Sequence, residues 1–270
     1  MIKLCSLFSG SSGNAIFLST DRVKVLIDNG LSARKIEQAL VSIGENPADL
    51  NAILVTHEHD DHIKGVGVLS RRYNLPVYAN EMTWSIMESS IGNISADNVR
   101  FFETGTAFEI CNLTVEAFHI PHDAGEPVGF NFYAQQRKIT IATDIGHINQ
   151  GLVECLKGSD VLFLEANHDV ELLKTGPYPQ WLKMRILGDR GHLSNEAAGQ
   201  LVAEMAEMGT KMFILGHLSR ENNFPELAYQ TVCNVLMTKN IYAGKDIMLD
   251  VARRDRVSTP LLLDKKSAVK

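Results

Sequence analysis

One short segment of this 270-residue chain concentrates side chains that bind metal ions. His57, His59, Asp61 and His62 follow the apolar run at 53–55, which predicts a short buried strand. In an extended chain, His57 and His59 point to the same side. A helix that begins near Asp61 would aim Asp61 and His62 elsewhere, so the segment predicts ligands for two neighbouring metal ions.

The residue types indicate which chemistry such ions would serve. Imidazole nitrogens and carboxylate oxygens without a thiolate suit Zn²⁺, Mn²⁺ or Fe²⁺ in a hydrolytic site with open positions. The plain alternative is a polar loop that happens to be rich in histidine. Metal-ligand spacing at the end of a strand favours the metal centre over that alternative.

Composition limits the class of protein. The chain is 45% apolar and 21% charged, as is usual for a globular protein, and no apolar run is long enough to span a bilayer. We expect no membrane association and no signal peptide at the N-terminus. Four scattered cysteines predict reduced thiols in a cytoplasmic protein; they are Cys5, Cys111, Cys155 and Cys233.

Charge gives a mixed indication about nucleic-acid partners. The net charge of -6 argues against indiscriminate binding to nucleic acid. The segment 251–270 has the opposite balance, with an excess of lysine and arginine. A solvated basic tail is the simpler explanation of that excess, and a phosphate-facing patch is the alternative.

Hydrophobic periodicity and turn residues predict a chain of mixed strands and helices. Strands are expected at 2–8, 15–19, 23–27, 53–56, after 76, in two stretches of 99–119, and at 128–133, 138–143, 161–164, 212–216 and 241–251. Helices are expected at 32–43, before 73, and at 81–91, 194–209 and 225–239. We expect one two-layered domain over 1–270, with an irregular excursion at 170–191 above the site and a basic tail at 251–270.

Five apolar strands end in a residue that can bind metal or transfer protons. These residues are Asp28, His57, Asp144, Glu165 and His217. Loops at the ends of buried strands commonly carry the chemistry of a protein, so we expect the five side chains to meet on one rim.

These residues resemble the metallo-β-lactamase superfamily. Its His-x-His-x-Asp-His motif is matched by His57, His59, Asp61 and His62. The resemblance, which spans about residues 2–250, implies an αββα sandwich, an α/β fold of four layers. It also implies further ligands at His122, Asp144 and His217, and a supporting aspartate at Asp28.

A narrower resemblance concerns nucleases within that superfamily. Glu165 and His192 match the proton-donating pair of the tRNA 3′-processing nucleases. The segments GSSGN at 10–14, PHDA at 121–124, GPYP at 176–179 and GHLSN at 191–195 are similar to the YycJ (WalJ) branch, whose members are regarded as cytoplasmic nucleases acting on DNA ends. The chain lacks an obvious long arm for gripping tRNA, which disfavours tRNA as substrate.

The resemblance leads to a hypothesis of dinuclear phosphodiester hydrolysis. One divalent ion, Zn²⁺ or Mn²⁺ with Fe²⁺ also compatible, would bind His57, His59 and His122. A second would bind Asp61, His62 and His217, with Asp144 bridging the two. His192 would protonate the leaving oxygen while Glu165 orients it, and Asp61 and Asp144 complete the catalytic set.

Several positions keep two interpretations. His122 is favoured over His119 as a ligand, because the place of His119 in a strand suggests packing. His168 either lines the site or supports it from behind. The turn at 9–14 is a tight hairpin or a phosphate cradle that uses Ser12 or Asn14. Two tryptophans, Trp84 and Trp181, are most simply explained by packing; base stacking by Trp181 is the alternative.

Other functions remain compatible with the same ligands. A small-molecule hydrolase would cleave a cyclic phosphodiester, a thioester or a lactone, and a further alternative is an RNA-processing nuclease. A non-catalytic metal or redox module fits poorly, because no flavin or iron–sulfur motif is evident. DNA is the favoured partner, and a homodimer is a further expectation.

Overall fold

Two seven-stranded β-sheets face each other in the computed structural model, which describes residues 1–265. The first sheet comprises β1 (Ile2–Phe8), β2 (Ala15–Ser19), β3 (Lys24–Ile27), β4 (Ala52–Leu54), β5 (Val77–Ala79), β6 (Val99–Phe101) and β14 (Leu261–Leu263). The second comprises β7 (Ala107–Ile110), β8 (Leu113–His119), β9 (Val128–Ala134), β10 (Arg137–Ala142), β11 (Val161–Glu165), β12 (Met212–Gly216) and β13 (Met248–Val251).

Helices cover the outer face of each sheet. In chain order they are α1 (Ala33–Ser42), α2 (Asp60–Ile63), α3 (Val66–Tyr73), α4 (Glu81–Ile91), α5 (Gln150–Leu156), α6 (Val170–Thr175), α7 (Gln180–Leu187), α8 (Asn195–Glu207) and α9 (Pro225–Thr238). Apolar residues of α1, α3 and α4 pack on the first sheet, and those of α5, α8 and α9 pack on the second. A central core between the sheets draws on both halves of the chain, with Leu18 and Val25 from one sheet and Phe130 and Ile141 from the other. The predicted αββα sandwich is therefore confirmed.

Parallel pairing decides where the strand ends lie. Strands β3, β4, β5 and β6 run parallel in the first sheet, and β10, β11, β12 and β13 run parallel in the second. The carboxyl ends of parallel neighbours lie at one edge of their sheet. The segments that follow β3, β4, β10, β11 and β12 therefore open on two adjacent edges, where the functional residues were expected.

The excursion at 170–191 is more regular than predicted. It contains α6 and α7, which are separated by the proline-rich segment 176–179. Proline and glycine around two very short helices obscured their periodicity. Trp84 is buried in the core as expected, whereas Trp181 on α7 is 68% exposed, so the packing interpretation of Trp181 is wrong.

The solvated tail predicted for the C-terminal segment is incorrect for residues 261–263. Residues 261–263 form β14, which pairs antiparallel with β1 at the edge of the first sheet. Lys266 and Lys270, which belong to the predicted tail, lie outside the described residues. Residues 150–156, where no element was predicted, form the amphipathic helix α5.

The described residues, 1–265, contain neither a membrane-spanning helix nor a disulfide. None of the helices in this range combines the length and apolarity needed to cross a bilayer. All four cysteines of the chain are free, and only Cys5 is fully buried.

The pairing of β14 with β1 predicts a contrast between two adjacent leucines. Leu263 is 3% exposed, and Leu262 is 56% exposed. Leu263→Ala should lower the free energy of unfolding by about 2–4 kcal/mol, because it removes buried methyl groups from the central core. Leu262→Ala, the matched control, should change it by less than about 0.5 kcal/mol in the same urea titration. Equal effects of the two substitutions would contradict the pairing.

Candidate metal centre

The turn after β4 divides its side chains as the sequence predicts. His57 leaves the strand in extended backbone, and α2 begins at Asp60 with His59 as its N-cap. His57 Nε2 lies 3.0 Å from His59 Nδ1. The nitrogen atoms of these two residues form one compact group with His122, and Asp61 and His62 form another with His217. The structure thus brings together both sets of residues named as candidate ligands.

Asp144 lies between the two groups. Its carboxylate is 3.4 Å from His62 Nε2, 3.0 Å from His217 Nδ1 and 3.8 Å from His122 Nε2. This position, at the end of β10, follows from the parallel sheet and matches a bridging role. His119, by contrast, is exposed at the end of β8 and outside these groups, so its expected packing role is wrong.

Three residues leave their strands in the left-handed region of backbone space. Asp28, Asp144 and His217 have φ angles of 59°, 62° and 54°. Such angles are uncommon for residues other than glycine and concentrate at functional positions. The sharp bend redirects each side chain from the sheet toward the rim, a feature that strand patterns in the sequence do not show.

Asp28 and Thr56 support the turn at 57–62, which we call the metal turn. Asp28 Oδ1 accepts a hydrogen bond from the Thr56 amide at 2.8 Å, and Asp28 Oδ2 accepts one from the Thr56 hydroxyl at 2.9 Å. Asp28 Oδ2 also lies 2.8 Å from His62 Nδ1, and the Thr56 hydroxyl lies 3.0 Å from His57 Nδ1. These contacts hold both imidazoles by Nδ1 and direct Nε2 inward, which is how proteins orient metal-binding histidines.

The turn at 9–14 also supports a candidate ligand, Asp61. The side-chain amide of Asn14 lies 3.3 Å from Asp61 Oδ2, and the Asn14 backbone amide donates to Asp61 O at 2.8 Å. The amides of Gly10 and Gly13 also donate within the turn. These three amides are therefore not available to cradle a phosphate, and the tight-turn interpretation is the better one. Ser12 is exposed at the tip of the turn.

Close packing of the metal turn depends on glycine at position 30. A Cβ atom there would lie 1.6 Å from the carbonyl oxygen of Asp61. Any side chain would therefore push the turn away from β3 and displace Asp61 and His62. Gly30 follows Asp28 and Asn29 in the sequence, where nothing in the local pattern indicates this close approach.

Glu165 organises the second sheet's side of the site. Its Oε1 lies 2.7 Å from His192 Nδ1 and 3.0 Å from His217 Nδ1. Its Oε2 accepts hydrogen bonds from the backbone amides of Ile145 and Leu193. Burial would raise the pKa of Glu165, but His192 and His217 outweigh it and lower the pKa to about 2. Glu165 is thus a fixed anion that orients two imidazoles.

The pKa values of the inner groups reflect strong mutual attraction. Burial opposes protonation of His62, but the carboxylates of Asp144 and Asp28 outweigh it and raise its pKa to about 9. Burial likewise opposes ionisation of Asp144, yet His217 and His62 hold its pKa well below the usual range. The pKa of His217 is raised well above normal, since Asp144 overcomes its burial. The buried carboxylates thus favour the protonated forms of His62 and His217, and these imidazoles favour the charged form of Asp144.

Buried polar atoms without partners test whether the residues suit a metal ion. His122 Nε2, His217 Nε2 and Asp144 Oδ2 are buried and make no hydrogen bond within the described protein. Leaving such atoms unpaired is costly, so buried polar atoms normally have a partner. All three belong to the compact groups of nitrogen and oxygen donors described above. Nitrogen and oxygen donors of this kind fit divalent metal ions.

Two further histidines, His168 and His147, belong to neither group of candidate ligands. His168 is buried with neither ring nitrogen bonded, and burial lowers its pKa to about 4 despite the charge of nearby Glu165. Its backbone forms a bridge with Ser194, so whether it lines the site or supports it stays a prediction. His147 is exposed, and its Nδ1 lies 2.8 Å from the carbonyl oxygen of Asp189.

The structure adds contacts that the sequence analysis missed. Arg185 on α7 forms a two-point ion pair with Asp123, which directly follows His122. Glu58, between His57 and His59, accepts a hydrogen bond from the Gly125 amide at 2.7 Å. Both contacts hold the loop of His122 against the rest of the rim. Only the polar character of these residues beside ligands could have indicated such roles.

Comparisons with known proteins agree with this geometry. A family model described as a β-lactamase superfamily domain matches residues 23–218. Exodeoxyribonuclease WalJ of Streptococcus pneumoniae serotype 2 is 41% identical over 261 residues, which cover 96% of this chain and 97% of the relative. The chain belongs to the metallo-β-lactamase superfamily.

Two more metallo-β-lactamase relatives extend this result. Exodeoxyribonuclease YycJ of Bacillus anthracis is 44% identical over 239 residues, 88% of this chain and 90% of the relative, so the chain falls in the WalJ and YycJ branch. The crystal structure of Zn²⁺-bound PqqB from Methylobacterium extorquens superimposes with a TM-score of 0.71 at 16% identity, covering 97% of this chain and all of that one. At that identity the likeness shows the metallo-β-lactamase fold alone.

The support from Thr56 predicts a specific loss in metal affinity. Thr56→Val keeps the shape of the side chain but removes the hydroxyl that contacts Asp28 and His57. Metal affinity should fall about 10- to 100-fold, as for other groups that orient metal ligands. Competition with a chromophoric chelator measures the change.

Thr83 offers a matched control for this substitution. Its side chain is also buried, and its hydroxyl makes no hydrogen bond within the described residues. Thr83→Val should leave metal affinity unchanged. If Thr56→Val and Thr83→Val bind metal equally well while both remain folded by circular dichroism, the supporting role of Thr56 is excluded.

Proposed function

We propose that this protein is a metal-dependent DNA exonuclease, a hydrolase of phosphodiester bonds. The observation that carries the proposal is the Glu165–His192 pair, joined at 2.7 Å beside a cluster of metal-binding donors. An alkoxide leaving group needs a proton donor at this place, whereas a thiolate leaving group does not. The exodeoxyribonuclease relatives, which match nearly the whole chain, support DNA as the polymer.

The donor arrangement supports two divalent ions for each chain. One would bind His57, His59 and His122, and the other Asp61, His62 and His217, with Asp144 shared between them. Such ions lower the pKa of a hydrolytic water and neutralise charge on the phosphate oxygens. Zn²⁺ and Mn²⁺ are both suited to these ligands, and Fe²⁺ is compatible with them.

His192 is placed to act as the general acid. Glu165 holds its Nδ1, which leaves Nε2 as the atom that delivers a proton to the departing oxygen. The His192 side chain is 18% exposed, while His217 and Glu165 beside it are buried. A substrate strand can therefore reach His192 from solvent. Asp28, Asn14 and Thr56 act through the ligands that they position.

The test of this function uses protein loaded with Mn²⁺ or Zn²⁺ and linear DNA labelled at one end. We expect metal-dependent shortening from an end, no cleavage of closed circular DNA, and no activity in Asp144→Ala. Parallel wells contain RNA, a cyclic phosphodiester, a thioester and a lactone. Intact DNA together with turnover of one of these compounds would replace the proposal with an RNA-processing or small-molecule activity.

The role of His192 predicts a separation of chemistry from metal binding. His192→Ala should lower kcat for DNA hydrolysis by about 10²- to 10⁴-fold, since it removes the proton donor. Metal content, measured by atomic emission, should stay at the level of the parent. His119→Ala provides a matched control, because His119 is exposed outside the donor groups, and it should retain full activity. Metal loss in proportion to activity loss would make His192 a ligand instead.

A further inference from the structure

Four arginines lie on two segments that continue from neighbouring strands of the second sheet. Arg220 lies in the loop between β12 and α9, and Arg253, Arg254 and Arg256 follow β13. We call these four residues the arginine patch. Arg220, Arg253 and Arg256 are exposed, and Arg254 is half-buried. Two carboxylates within the same segments, Glu221 and Asp255, leave the patch with a positive balance in a chain of net charge -6.

The patch lies close to the candidate ligands because β12 and β13 are parallel neighbours. Beyond their paired residues, the Ala252 amide donates to the Leu215 carbonyl at 2.8 Å, so the chain after β13 continues alongside the loop that carries His217. The Arg254 guanidinium reaches the carbonyl oxygen of Ser219 at 3.5 Å. Arg254 thereby contacts the residue directly before Arg220, and the two segments that carry the arginines lie side by side.

Arg254 also packs on the turn that supports the metal ligands. Its side-chain stem lies so close to Gly10 that a Cβ atom at position 10 would be 2.7 Å from Arg254 Cγ. The residue before Gly10, Ser9, accepts a hydrogen bond from the His217 amide at 2.7 Å. At the other end of the turn, Asn14 contacts Asp61. Arg254 is thus one layer of residues away from two candidate ligands.

The segment that carries the patch is held at both ends. It leaves β13 at its beginning and returns to the first sheet through Ser258, whose amide donates to Ser6 O at 2.9 Å. The Ser258 hydroxyl accepts a hydrogen bond from the Arg253 amide at 2.9 Å. Strand β14 follows and pairs with β1. Anchoring at both ends limits the conformational entropy that the arginines lose on binding a ligand.

We infer that the arginine patch binds the sugar–phosphate backbone of the DNA strand whose end enters the metal centre. Arginine presents a planar fork of donors that matches phosphate oxygens, and backbone contacts set the position of a strand without selecting its sequence. A protein of net negative charge repels DNA at long range, so a local positive surface beside the site compensates for that repulsion. The inference rests on the proposed nuclease function. It adds that the DNA strand lies along the arginine patch.

Charge reversal at Arg253 and Arg256 tests whether the arginine patch binds DNA. Arg253→Glu/Arg256→Glu changes exposed side chains and leaves the packed stem of Arg254 in place. In the metal-loaded enzyme, KM for DNA should rise about tenfold at low salt, with kcat nearly unchanged. The slope of log KM against log salt should become shallower by about 1.5, because about two phosphate contacts are lost. Turnover of bis(4-nitrophenyl) phosphate should stay at the parent level.

A control variant carries the same charge change at the other end of the second sheet. Lys211 is exposed just before β12, and Lys245 is exposed in the turn before β13. Lys211→Glu/Lys245→Glu should leave KM and its salt slope near those of the parent. If the arginine variant matches this control while the parent degrades DNA, the inference about the patch is overturned.

Direct binding separates failure of this inference from failure of the proposed function. Fluorescence anisotropy with labelled single-stranded DNA uses metal-loaded His192→Ala, which should consume the probe about 10²- to 10⁴-fold more slowly than the parent. A parent that leaves DNA intact overturns the nuclease function. The patch survives that result only if Arg253→Glu/Arg256→Glu still weakens binding about tenfold in this background. Absence of binding in both proteins overturns the patch as well.

Discussion

The charge of one buried carboxylate governs the structure of the whole site. Asp144 is removed from water, and an ion in such a place is stable only if opposite charge and hydrogen bonds surround it. Here the opposite charge comes from imidazoles of both sheets, with His62 on one side and His217 on the other. Each of these histidines contacts a second carboxylate, Asp28 or Glu165. A divalent ion bound by His62 and His217 would balance the same negative charge, so folding, protonation and metal binding would involve the same atoms.

That arrangement requires the two sheets to meet with their edges aligned. The first sheet contributes Asp28 and the turn after β4, and the second contributes Asp144, Glu165 and His217. A backbone contact joins the edges directly, since the Val128 amide donates to the Thr56 carbonyl oxygen at 3.0 Å. The central core beneath this contact keeps the sheets in register. Small displacements between the sheets would therefore change distances between donor atoms, and the packing of the core protects the chemistry at the rim.

Local patterns predicted much of this fold and of the candidate site. Buried strands that end in a polar residue indicated which side chains would meet, because strand ends converge whenever the strands are parallel. The spacing of residues between His57 and His62 predicted that their side chains point in two directions. They do so because the chain changes from extended backbone to helix at Asp60. Ligand assignment itself remains a prediction.

Other features depend on contacts that no local pattern contains. The pairing of β14 with β1 joins residues about 260 positions apart, and the basic composition of that segment suggested solvent instead. The sequence pattern places Thr56 at the end of a strand. It does not show that the Thr56 hydroxyl donates a hydrogen bond to Asp28 Oδ2 at 2.9 Å, because the two residues are 28 positions apart. The short helices α6 and α7 obtain stability from their contacts and not from a long amphipathic pattern.

The edge of the first sheet has a consequence for how the chain is made. Among the described strands β1 is made first, but its partner β14 is made after all the others and after every candidate ligand of the metal centre. Until then the outer edge of β1 presents unpaired backbone groups, the kind of edge at which strands from other chains add. The nascent protein must keep that edge apart from other chains until β14 has been translated. Pairing of β14 with β1 therefore closes this edge of the first sheet only after the other described strands have been made.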